Sequence, residues 1–114
     1  MSSYSIKKQS NGAGNWINEF PLSGTINVND VFVTINYQAD DATLLKEVDL
    51  LSPESGYGAP INFNGNDPVG LFKNGVLIDI IGVLGVTQKN YENMTLRRKN
   101  SVTAPTITFN ANEW

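Results

Sequence analysis

The sequence contains no cysteine and no histidine. Without cysteine there is neither a disulfide framework nor a thiolate metal site, and thiol usage reports nothing about redox compartment. Without histidine the usual general base, the commonest zinc ligand and every Ser-His or Cys-His nucleophile arrangement are excluded. Charge is sparse: 17% of the residues are charged and the formal net charge is −3. A mildly acidic surface repels phosphate backbones and anionic lipid, which makes nucleic acid a poor partner. Long apolar runs are lacking as well. The longest, Val76 to Val86, is interrupted by Asp79, falls well short of the roughly 20 residues a membrane helix needs, and is expected to be a core segment. The start, Met1-Ser2-Ser3-Tyr4, has neither the basic opening nor the apolar stretch of a secretory signal, so any export signal is expected upstream or already removed.

What is present suffices for one folded domain. A chain of 114 residues with 40% hydrophobic content has room for one core, and residues 1–114 are expected to form a single domain, a fragment of a larger protein. Short alternating or β-branched runs separated by turn residues dominate. Tyr4, Ile6 and Lys8 alternate with Ser5 and Lys7, and a hairpin is expected through Ser10–Asn15 to Trp16–Phe20. Val31–Ile35 reads as a central strand placed in the core. Only Asp40–Val48 has helical character, one or two turns capped by Asp40 or Asp41. Asn74-Gly75 between two apolar runs predicts a tight hairpin, because both residues tolerate the positive φ of a type I′ turn. A last strand pair is expected at Met94–Lys99 and Thr106–Phe109. Regular short strands with almost no helix predict an all-β fold, a β-sandwich.

The run Phe63-Asn64-Gly65-Asn66-Asp67-Pro68-Val69-Gly70-Leu71-Phe72-Lys73-Asn74-Gly75-Val76-Leu77-Ile78-Asp79-Ile80-Ile81-Gly82 resembles the central hairpin of bacterial lamin-tail domains. Thr95–Lys99 and the closing Phe109-Asn110-Ala111-Asn112-Glu113-Trp114 resemble that family's final strands, and Ser3–Gln9 and Leu22–Ile26 also fit. The resemblance implies an immunoglobulin-like β-sandwich, a bacterial secreted or cell-surface setting, and a non-catalytic accessory module for protein association or surface attachment. It carries no catalytic residues. Members of the family begin with a further strand or two before the position of Ser3-Tyr4, so the sandwich is expected to lack its N-terminal edge strand. An unpaired edge predicts a protein partner or self-association by strand addition.

Several residues are candidates for chemistry, each beside a plainer role. Asn64, Asn66 and Asp67 offer oxygen ligands of the kind calcium takes, but the loop lacks the opening Asp and distal Glu of a calcium loop, and these side chains also serve turns by bonding their own downstream N–H groups. No other cofactor is implied. Asp79, amid apolar residues, is expected to accept hydrogen bonds from a turn or from Arg97 or Arg98. Strand alternation places Leu77, Asp79 and Ile81 on one face and Val76, Ile78 and Ile80 on the other. Arg97 and Lys99 are candidate contacts to a ligand on a face Arg98 does not share, a solvated sheet face being the alternative. Tyr57 is the candidate for exposed contact with a sugar ring, with Tyr91 beside it, while Trp16 and Trp114 read as packing residues. Asn93-Met94-Thr95 matches a glycosylation acceptor, a short pattern common by chance.

Two further function classes stay open at this level. One is a carbohydrate-binding module, or a module positioning nucleic acid beside an extracellular nuclease. The other is an enzyme, for which 11 acidic residues supply carboxylates of the glycosidase kind, although no spacing selects a pair.

Overall fold

Asn74 and Gly75 both adopt positive φ, at 50° and 78°, and turn the chain between β5 (Val69–Lys73) and β6 (Val76–Ile81), with Lys73 opposite Val76. The expected two-residue hairpin is therefore formed. In this computed structural model, which describes residues 1–53 and 59–114, that hairpin is half of a four-stranded antiparallel sheet. β1 (Tyr4–Lys8) pairs with β5, and β2 (Ile17–Pro21) pairs with β1, giving the order β2-β1-β5-β6. The β1–β2 hairpin also forms where the alternation placed it, with a bulge between Ile6 and Lys8 and Asn18 at φ 57°. A parallel pair of two-residue strands, β3 (Thr34–Ile35) and β4 (Leu50–Leu51), makes a second small sheet. The regular structure of the described residues is thus mostly strand with little helix, an all-β fold.

The sheet buries residues on both faces. Ile6 lies opposite Leu71 and Phe20, and Leu71 opposite Asp79, so these share one face. Ser5 lies opposite Phe72, and Gly70 opposite Ile80, on the other. Phe20, Leu22, Ile35, Ala59, Phe72 and Ile80 are the buried apolar residues. Trp16 meets the Phe72 ring edge to face at 5.3 Å and lies over Gly70, where a Cβ would come within 3.0 Å of its ring and 2.7 Å of Leu77. The missing side chain at residue 70 is what lets the indole cover this face.

Four expectations are corrected. Between Leu71 and Phe72 the β5–β6 register shifts, so Phe72 faces Leu77 and Ile78 is left unmatched. Strict alternation fails at that bulge, and Leu77 joins the Phe72 face instead of sharing Asp79's. Val31–Ile35 is not a central strand: only Thr34–Ile35 pairs, and Val31 is 71% exposed. The Asp30 carboxylate accepts from Val31 N at 2.9 Å and Asp49 from Val33 N at 2.7 Å, so side chains take the N–H groups a ladder would need. The last strand pair is absent. Lys99 N donates to Glu113 O, and Thr106 Oγ1 accepts from Thr108 N in a local turn, so the two segments never pair. Finally, the Val76–Val86 run is core only in part, for Val76, Val83 and Leu84 are exposed. The Asp40–Val48 segment does make one turn, a 3-10 helix at Leu44–Lys46, with Asp41 Oδ1 accepting from Thr43 N and Leu44 N.

Candidate functional site

The loops at one end of the sheet, residues 63–69 and 81–96, enclose a cavity of about 360 Å³. Its wall is mainly apolar, with Val69 and Ile81 at the base and Leu96, Val86, Phe63 and Met94 around them. Phe63 and Met94 stand exposed at the mouth. Val69 and Ile81 sit where β5 begins and β6 ends, opposite each other in register, so the base is held by rigid strand ends while the sides come from loops.

The polar residues around the cavity hold its loops in place. Asp67 Oδ1 accepts from Asn11 N at 2.7 Å, and its Oδ2 accepts from Asn64 N at 3.3 Å and lies 3.7 Å from the Lys8 ammonium. Both charged side chains are buried, 5% and 7% exposed. Lys8 Nζ also donates to Asn62 O at 2.6 Å. Asn66 Nδ2 donates to Thr87 O at 2.7 Å and to Asn11 Oδ1 at 3.3 Å. One web thus joins the loop after β1, the loop before β5 and the loop after β6. Gly65, at φ 98°, lets the Tyr91–Glu92 backbone lie against it, where any Cβ would collide with Glu92 N, and its carbonyl accepts from Tyr91 N.

Asn64, Asn66 and Asp67 are therefore brought together, but as this frame. Asp67 is occupied by two backbone N–H groups and an ammonium, Asn66 gives its amide donor to Thr87 O and Asn11 Oδ1, and Asn64 enters the web through its backbone N–H. Asp67 bonds upstream N–H groups, at Asn11 and Asn64, not the downstream ones expected of a turn cap. Among the described residues no group of three Asp or Glu side chains is placed to hold a metal.

The second cluster lies on the sheet face that carries Asp79. Arg98 grips Asp79 through two bonds, Nη1 to Oδ2 at 2.6 Å and Nη2 to Oδ1 at 2.9 Å, while Ile80 N and Thr106 N donate to Oδ1. Of the two arginines proposed as its partner, Arg98 is the one engaged. Burial alone would raise the Asp79 carboxyl, but the Arg98 guanidinium and the backbone donors outweigh it and hold the group below its usual range. The Arg98 guanidinium is correspondingly raised, chiefly by its bonds to Asp79. Arg98 also lies 3.6 Å from Glu113 and stacks on the Trp114 ring at 4.6 Å, and Trp114 stacks on Phe109. This is a clasp fastening the last residues to the sheet.

Arg97 and Lys99 are exposed, and Arg98 between them is partly buried, in an irregular segment. Lys99 Nζ donates to Asn112 O at 2.6 Å. Tyr91 lines the cavity and meets Phe109 edge to face, and Asn93, with φ 57°, is exposed in a turn. Tyr57 lies outside the described residues. Sequence reasoning missed the cavity altogether, because its wall combines residues as far apart as Phe63 and Leu96, which only the β5–β6 hairpin brings together. Among the described residues no helix is long and apolar enough to cross a membrane. Compared with protein-family models, with curated proteins and with solved structures, the chain matches none.

Proposed function

We propose that the chain is a non-catalytic interaction module of the bacterial lamin-tail type, built on an immunoglobulin-like sandwich, that mediates protein association or surface attachment in a secreted protein. The observation that carries this reading is the 360 Å³ cavity with its apolar wall and its framed loops. A concave apolar site of this size, with a few polar groups around it, is the usual form of a binding site. Its one carboxylate, Asp67, is committed to Lys8, Asn11 and Asn64, which suits binding better than proton transfer.

The edge of the sheet at β2 is a weaker candidate for association. Pro21 removes a donor, Asn18 at φ 57° and the bulge twist the strand, and Glu19 stands exposed on it, all features that resist strand addition. The loop end is the surface proposed for binding. The test is to follow backbone amide shifts while the chain is titrated with blocked peptides, soluble polysaccharides and a second, unlabelled copy of itself. Shifts concentrated at residues 63–69 and 81–96 are expected. Shifts concentrated at β2 or β6 with the unlabelled copy would replace this reading with edge pairing, and saturable shifts at Arg97 and Lys99 with a polysaccharide would replace it with sugar binding.

A further inference from the structure

The loop-end cavity has features that select among partners. Its volume, about 360 Å³, is more than twice the roughly 150 Å³ that suffices for benzene in a dry protein cavity. A single methyl or isopropyl group would leave most of it empty, and voids forfeit contact energy. The wall includes two aromatic rings, Phe63 and Tyr91, and the thioether of Met94, which suit an aromatic guest through edge contacts and sulfur–ring contacts.

Charge selects further. Asp67, the cavity's acidic residue, is paired with Lys8, and just outside, Glu92 is paired with Lys89 at 3.3 Å. A cationic or anionic group entering the cavity would lose its hydration and meet no free counter-charge. Gln88, Asn90 and Thr95 contribute to the wall and are exposed, so the surroundings of the apolar pocket carry uncharged amide and hydroxyl groups of the kind that pair with peptide backbone. An apolar centre with a polar rim is the anatomy of a protein–protein anchor site, where one aromatic side chain supplies most of the binding energy.

We infer that this cavity receives an uncharged aromatic side chain, tryptophan or phenylalanine in size, presented by an extended segment of a partner protein whose backbone pairs with Gln88, Asn90 and Thr95. The inference rests on the loop end being the binding surface, and it adds the chemistry of the partner.

The experiment is a titration of the isotopically labelled chain with blocked Gly-Trp-Gly, Gly-Phe-Gly, Gly-Leu-Gly and Gly-Lys-Gly peptides, reading amide and Met94 methyl shifts. The aromatic peptides are expected to shift residues 63–69 and 81–96 and to bind about tenfold more tightly than the lysine peptide, the ratio that burying about two extra methylene equivalents produces. Val83→Trp, at an exposed position on the wall, should fill the space and abolish those shifts while keeping the thermal melt of the parent. Met94→Ser, at the exposed mouth, should weaken binding several-fold without touching the core. Equal affinity for the lysine and tryptophan peptides, or aromatic binding that survives Val83→Trp, overturns the inference. If only polysaccharides or the leucine peptide move the loop residues, the aromatic specificity falls and the loop end remains the binding surface. If no ligand moves them, both readings fall.

Discussion

Asp79 and Arg98 form a two-bond ion pair across 19 residues of sequence, at 2.6 and 2.9 Å, with both side chains about one-fifth exposed. Asp79 sits in the edge strand β6 and Arg98 in an irregular segment, so the pair fixes chain that has no ladder of its own. Through Arg98 it also reaches Glu113 and Trp114.

Breaking that pair should loosen the C-terminal segment. Asp79→Ala and Arg98→Ala are each expected to cost about 2–3 kcal/mol, because each leaves a half-buried partner and, for Asp79, the Thr106 and Ile80 N–H groups unsatisfied. The double variant should cost less than the sum of the two. Urea unfolding of the three variants checks this, and strict additivity would show that the residues act independently.

Acid should act on the same link. The Asp79 carboxyl is held below its ordinary value, so the folded state binds its proton less readily than the unfolded chain does. The stabilisation is full above the unfolded value of about 3.9 and is lost as pH falls below it toward the lower folded value. The melting temperature of the parent should therefore drop, as the pH falls below about 4, by more than that of Asp79→Asn. Parallel curves for the two proteins would remove Asp79 from the acid response.

Two glycines at positive φ should respond differently to alanine. Gly75, at φ 78°, has nothing within 4 Å of a new Cβ, so Gly75→Ala costs only the strain of the left-handed region, about 1 kcal/mol. At Gly65 the same change also drives a methyl into the Glu92 backbone, and a loss of about 2–4 kcal/mol is expected. Amide shifts in Gly65→Ala should concentrate at residues 86–92, the cavity wall. Equal losses at the two sites would contradict the close approach.

Trp16 should report the opposite face of the sheet. Removing its ring uncovers Phe72 and Gly70, and Trp16→Ala is expected to cost about 2–4 kcal/mol, measured by thermal unfolding. Loss of near-ultraviolet dichroism is the accompanying signal, and an unchanged melt would place the indole outside the core.

Calcium should leave the melting temperature where a chelator leaves it. The Asp67 carboxylate already faces the Lys8 ammonium at 3.7 Å and two N–H groups, and a cation would have to displace all three. A rise in melting temperature on adding calcium, absent in Asp67→Asn, would reverse this.

Local chemistry settled the parts of this protein that depend on neighbours in sequence. Asn74-Gly75 formed its turn, Tyr4–Lys8 and Ile17–Pro21 formed their hairpin, Asp41 capped its single 3-10 turn, and the lack of cysteine and histidine excluded whole classes of chemistry. Each rests on φ preference, period-two alternation or the presence of a functional group, and none needs a distant partner. Tertiary structure decided the rest. Alternation could not place the bulge at Ile78, which moved Leu77 to the Phe72 face, because a bulge answers to packing against the neighbouring strand. A β-branched run at Val31–Ile35 was not enough for a long strand once Asp30 and Asp49 had taken its N–H groups. The choice of Arg98 over Arg97 as the partner of Asp79, and the meeting of residues 63–69 with 81–96 around one cavity, depend on how the chain crosses itself, which composition and periodicity do not encode.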